Sequence, residues 1–254
     1  MDEKRYIASS STFYRVLREK DMLHHRKKGR ARKKLNPPPE LAATGPNQVW
    51  SWDITYLKTE IKGIYLYAYI IIDVWSRKIT GWEIHEEESE TIARELFERL
   101  KGRYNLSGIK LHSDNGNPMK GATMIMTLYN LGVIPSFSRP RISDDNPYSE
   151  SLFKTLKYTA GFPGCFKNLN HSREWIADFV NWYNEKHRHS GIKYITPNQR
   201  HSGLGEKIMM IRNQVIAEAF SQNPQRWSHK PALWKNLETV YLNPSAETKN
   251  NNAA

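Results

Sequence analysis

Residues 64–73, IYLYAYIIID, form a nearly unbroken apolar run rich in isoleucine and tyrosine. A strand with one wet face alternates apolar and polar residues. An unbroken run instead fits a strand covered on both faces, as in a sheet sandwiched between helices. The segment before it, QVWSWDITYL (48–57), does alternate. Trp50, Trp52, Ile54 and Tyr56 fall on one face, and Ser51, Asp53 and Thr55 on the other. RKITGWEIH (77–85) supplies a third strand, with turns expected at Glu60 to Gly63 and around Ser76 and Arg77.

Helical and strand periods then take turns. ESETIARELFERLKGRY places Ile92, Leu96, Phe97 and Leu100 at helical spacing. GIKLH reads as a fourth strand, NPMKGATMIMTLYNLG as a second helix ending at Gly132, and VIPSF as a fifth strand. PYSESLFKTLKY (147–158) reads as a helix with Asn146 as its cap and Pro147 in its first turn. Three antiparallel strands followed by helix, strand, helix, strand, helix is the order of a ribonuclease H-like fold: α/β, with a five-stranded mixed sheet flanked by helices.

The chain of 254 residues is long enough for one good core with smaller appendages. A single cysteine, Cys165, rules out an internal disulfide and a multi-cysteine zinc site. No apolar run approaches the roughly 20 residues of a membrane span, and the N-terminus lacks a secretory signal. These features lead us to expect a cytoplasmic protein without a membrane partner. The net charge is +12, and eight of those charges belong to residues 1–35. Such a block attracts polyanions by counterion release, although a lysine-rich terminus can equally be a solvated tail. Within it, Phe13, Val16 and Leu17 give residues 8–20 an amphipathic helical pattern capped by Ser9, Ser10 or Ser11. Arg15 and Arg18 are left to face a partner, as in the recognition helix of a helix-turn-helix, or simply to face solvent. His24 and His25 read as part of the basic arm, and Pro37, Pro38 and Pro39 as a stiff linker.

Three carboxylates stand out against this frame. Asp53 sits in a strand, Asp114 follows a strand in HSDNG, and Glu150 lies in a helix with 35 residues between it and Asp114. Each alone has an ordinary reading: a sheet-edge aspartate, an Asp-Asn-Gly turn, an i, i+4 salt bridge with Lys154. Together they are the oxygen ligands that hard divalent cations prefer, and two such ions can activate an attacking oxygen and stabilise a leaving one. Glu150, Lys154 and Lys157 recur at i, i+4 and i+7, one helical stripe suited to metal at one end and phosphates along the rest. Asp144 and Asp145 are expected to order the loop before this helix, Asp73 to bond within its turn, and His112 to be a satisfied core histidine. In His187, Arg188 and His189 the cationic knot offers a DNA contact at Arg188.

The motifs WSWDITY, IIDVWSRKITGW, LHSDNG, NPYSESLFKTLK and WYNEKHRHSGIKYITPNQRH resemble the catalytic core of retroviral integrases and DDE transposases. More narrowly, the chain is similar to the second-frame product of bacterial insertion sequences. The resemblance implies a strand transferase in which Asp53, Asp114 and Glu150 bind two Mg²⁺ or Mn²⁺ ions and Lys157 touches the DNA end. It also implies double-stranded terminal-repeat and target DNA as partners, a homo-oligomer, nucleoid association, and an upstream-frame helix-turn-helix protein. The organisation expected is a basic helical arm and Pro-rich linker over 1–45, a core over 46–205 and a small C-terminal extension over 206–254. Two other readings stand beside it: a non-catalytic DNA-binding or inhibitory fragment, and a ribonuclease H-type nuclease without a joining step.

Overall fold

A computed structural model describes residues 10–20, 22, 38–139, 145–245 and 247–248. Ser9, His24, His25, Pro37 and Asp144 lie outside them. The chain divides into two compact units, Met1–Asn36 and Pro37–Ala254. In the first, α1 (Ser10–Glu19) exposes Phe13, Tyr14 and Val16, and Arg15 pairs with Glu19 one turn on.

The second unit is built on the sheet expected from the apolar runs. β2 (Val49–Lys58), β3 (Tyr65–Asp73) and β4 (Ile79–His85) form an antiparallel meander. β5 (Lys110–Ser113) and β6 (Ile134–Phe137) add in parallel on the other side of β2, giving the order β4-β3-β2-β5-β6. β3 is covered on both faces. Tyr69 and Ile71 join Trp50 and Trp52 beneath α2 (Glu90–Lys101) and α4 (Ala122–Asn130). Ile70 and Ile72 join Leu57 and Ile84 beneath α5 (Pro147–Tyr158) and α6 (Leu169–Glu185). Trp52 meets Phe97 edge-on at 5.8 Å and Trp50 meets Tyr104 at 5.3 Å, the geometry aromatic quadrupoles prefer.

Where the strands turn, Asp73 acts as the sequence suggests. Its carboxylate accepts from the Ser76 amide and hydroxyl and from the Asn47 amide, closing a turn in which Arg77 adopts φ +66°. The helix expected over 117–132 is instead two pieces, α3 (Asn117–Lys120) and α4, broken at Gly121. Glu90 fills the space there: a Cβ on Gly121 would lie 1.8 Å from the Glu90 Oε2.

Beyond α6 the chain runs through α7 (Pro197–His201), opened by a Thr196–Gln199 capping box, and α8 (Gly205–Gln222). It ends in β7 (Val240–Leu242), antiparallel to β1 (Leu41–Ala43). This two-stranded ribbon packs Leu41, Ala43, Val240 and Leu242 on Val49, Val74 and Trp75. Sequence periodicity did not foretell it, because three-residue strands are too short to show a period. Among the described residues no helix is long and apolar enough to cross a membrane.

Candidate active site

The register of the sheet brings the first two acids together. β2 and β5 run parallel, with Ser51 opposite His112. Two residues beyond that pair come Asp53, within β2, and Asp114, one residue past the end of β5. Adjacent strands are separated by only about 4.8 Å. The pairing stops at Ser51, so both aspartates lie where the strands part, outside the carboxyl end of β5. Open α/β sheets bind ligands in that place. Asp53 is therefore on a central strand, not at a sheet edge.

The third acid comes with α5. Ser51, on the same face of β2 as Asp53, is fully buried, and its hydroxyl donates to the Asn146 side-chain oxygen. The Ser149 hydroxyl lies 2.7 Å from the Ser51 hydroxyl oxygen and donates to it in turn. Asn146 also donates to the Trp52 carbonyl. Asn146 begins the helix but makes no side-chain cap bond, because its amide is recruited to the sheet. These bonds seat the first turn of α5 on β2 and carry Glu150, the residue after Ser149, toward Asp53.

Electrostatics registers the convergence. The Asp53 carboxyl is pushed up to about 7, first by burial and then by the negative charges of Asp114, Glu150 and Glu88, against a lowering bond from the Ile54 amide. Lys157 is drawn into the same field. Burial lowers its pKa, while the charge of Asp53 raises it and that of Lys58 lowers it. Asp53 and Asp114 each turn an oxygen to a backbone amide, of Ile54 and Gly116 respectively, both at 2.8 Å. Among the described residues no three His, Cys, Asp or Glu side chains form a ready-made ion cage. Like charges repel, and these two carboxylates are held by amides instead.

The structure thus groups Asp53, Asp114, Glu150 and Lys157. Lys154 is exposed one turn before Lys157 on α5. Arg188, exposed after α6, bonds Gln199, and Arg15 and Arg18 belong to the other compact unit. Sequence reasoning missed Ser51 as an anchor, Glu88 as a fourth acid and Lys58 as a neighbour of Lys157. Only Ser51 gave a signal, a small polar residue two positions from Asp53 on a strand of tryptophans. His112 is a buried histidine bonded at both ring nitrogens, to Ser136 and Ser138, and burial lowers its pKa. Asp145 pairs with Arg139 at 2.9 Å, which holds its carboxyl below the usual range.

Two models of the integrase core domain match the chain, over residues 43–143 and 131–197. The transposase of insertion sequence element IS904 from Lactococcus lactis is 32% identical over 177 residues, 68% of this chain and 69% of that protein. The chain belongs to the insertion-sequence transposases built on an integrase core. Transposase InsF of IS3A from Escherichia coli is 30% identical over 159 residues. That match takes in 62% of the present transposase and spans about half, 54%, of InsF. A chain of the simian T-cell lymphotropic virus intasome, solved in complex with PP2A regulatory subunit B56 gamma, superposes with a TM-score of 0.52. At 16% identity, covering 76% of this chain and 67% of that one, it shares the ribonuclease H-like fold. These relatives favour neither a stand-alone ribonuclease H-type nuclease nor a non-catalytic DNA-binding fragment.

Proposed function

We propose that this transposase hydrolyses a phosphodiester at each end of a mobile DNA element and joins the freed 3′-hydroxyl to target DNA, using Asp53, Asp114 and Glu150. The observation that carries this reading is the electrostatic coupling of Asp53 to Asp114 and Glu150, acids delivered by a strand, a loop and a helix. The donor set fits a hard divalent cation: the groups that converge are carboxylates, and no thiolate is among them. Bound there, two Mg²⁺ or Mn²⁺ ions would supply an activated nucleophile and charge stabilisation at the leaving oxygen.

The chain's own residues do the rest. Asp53 and Asp114 hold their positions through the Ile54 and Gly116 amides. Ser51, Asn146 and Ser149 fix the depth of Glu150. Lys157, with Lys154 one turn before it on α5, places positive charge where a DNA backbone enters, and each neutralised phosphate adds salt-dependent affinity. Arg15, Arg18 and Arg188 are proposed as further contacts to double-stranded DNA. Joining two element ends calls for more than one copy of the chain, and hence a homo-oligomer, with an upstream-frame helix-turn-helix protein as a further partner. In this reading residues 46–205 are the catalytic core, 1–45 a DNA-binding arm and linker whose last residues, β1, pack on that core, 206–254 an extension, and the protein works on the bacterial nucleoid in the cytoplasm.

The test is cleavage and joining of duplexes carrying the inverted repeats that flank the gene, with Mg²⁺. Asp114→Asn is expected to lower both steps by at least about 100-fold, the scale of losing a transition-state interaction worth ~3 kcal/mol, while DNA binding persists. Undiminished cleavage by Asp114→Asn refutes the assignment.

A further inference from the structure

A cavity of about 640 Å³ opens on the side of α5 away from the acids, between the β3–β4 turn, the loop after α6 and the residues following β7. We propose that it binds a nucleotide, either free in solution or one unit of a DNA strand. Its lining includes Arg77, Tyr148, Ser151, His189, Tyr241 and Asn243.

The lining sets a few hydrogen-bond donors into a largely apolar wall. Arg77 is buried, with its guanidinium carbon 4.0 Å from the centre of the Tyr148 ring. One of its nitrogens donates to the Val74 carbonyl, and a guanidinium has five N–H donors in all. His189 accepts the Gly191 amide at Nδ1, which assigns its ring proton to Nε2. Burial and the Arg77 charge hold its pKa at about 4, so at neutral pH it is an uncharged donor. The Asn243 Nδ2 is buried without a hydrogen-bond partner among the described residues, and Asn243 itself adopts φ +54°. The carboxylate bordering the cavity, Asp145, is matched by Arg139 and offers an incoming anion little repulsion.

Aromatic surface supplies the second half of the chemistry. Tyr148 and Tyr241 are tied together by the Tyr148 hydroxyl donating to the Tyr241 carbonyl at 2.7 Å. An anionic group joined to a flat ring satisfies both halves, and the volume lies within the range of small-molecule sites, roughly 300–1,000 Å³. Stacking a base on an aromatic side chain contributes enough, about 10-fold in affinity or more, to hold an extruded nucleotide. Tyr148 and Ser151 lie on α5, the helix that also carries Glu150 on another face.

The experiment titrates the full-length protein with dAMP and with inorganic phosphate by calorimetry. In parallel, a duplex carrying 2-aminopurine near the element end is followed by fluorescence. Ser151→Trp fills the cavity from an exposed helical position, and Arg77→Lys keeps the charge but loses the fork. We expect saturable dAMP binding, tighter than phosphate, weakened at least 10-fold by Ser151→Trp with an unchanged melting curve and several-fold by Arg77→Lys. A 2-aminopurine signal lost in Ser151→Trp identifies the DNA strand as the source. dAMP binding without that signal identifies a free nucleotide. Absence of both responses, equal responses in Ser151→Trp, or phosphate binding as tightly as dAMP overturns the proposal. None of these readouts requires cutting, so their failure leaves the strand-transfer reading standing.

Discussion

Asp53 shows how a single carboxyl records the assembly of a site. Its pKa is raised to about 7 because ionising it means burying charge beside Asp114, Glu150 and Glu88. The linkage has a definite sign: between about pH 4 and pH 7 the folded protein holds a proton that the unfolded chain releases. Stability is therefore full below that window and falls as pH rises through it. In chelator-containing buffer, Asp53→Asn should remove this slope. At pH 8 it should be more stable than wild type by about 2–4 kcal/mol, since each tenfold change in proton affinity is worth about 1.4 kcal/mol. Urea denaturation across pH reads this directly, and an unchanged slope would mean that Asp53 does not feel the other acids. For Lys157→Ala we expect the salt-dependence slope of DNA binding to fall by about 1, the signature of one lost phosphate contact. The elements that carry the three acids were legible in the sequence: strand alternation placed Asp53 in a strand, turn chemistry placed Asp114 past the end of one, and helical spacing placed Glu150 on α5. Glu88 was not, since EEES before a helix reads as an ordinary acidic first turn.

At the scale of elements, α5 is positioned by polar bonds as much as by apolar packing. Ser51, Asn146 and Ser149 form a fully buried trio between β2 and the first turn of the helix. Ser51→Ala leaves the Asn146 oxygen without its donor, at a cost of about 1–3 kcal/mol. We predict a corresponding loss in denaturation experiments and a fall in cleavage rate that exceeds any fall in DNA affinity, because Glu150 is set back while the lysines remain. Equal rates would show that α5 is held by Leu152 and Leu156 alone. Helix and strand periods made these elements readable in the sequence. Their joints were not readable: the break at Gly121 depends on Glu90, and the Asn146 amide serves a strand 94 residues away. Such partners are set by the fold, beyond the reach of any local pattern.

At the scale of the whole chain, the C-terminal segment is part of what supports the core. β7 returns to pair with β1, and Leu242 is completely buried against Val49, Val74 and Trp75. Leu242→Asp should destabilise the protein by roughly 3 kcal/mol or more, through lost burial and an unpaired buried charge. A shift in melting temperature of less than a degree would show the ribbon to be incidental. In the proposed reaction Asp53, Asp114 and Glu150 act as one unit. The most direct measurement is the Mg²⁺-dependent cleavage rate of Asp53→Asn, Asp114→Asn, Glu150→Gln and Glu88→Gln on terminal-repeat DNA, with folding verified by circular dichroism. The first three are predicted to lose activity together, each by about 100-fold or more, and Glu88→Gln to stay within about 10-fold of wild type. Substantial activity in any of the first three, with the fold intact, would contradict the account.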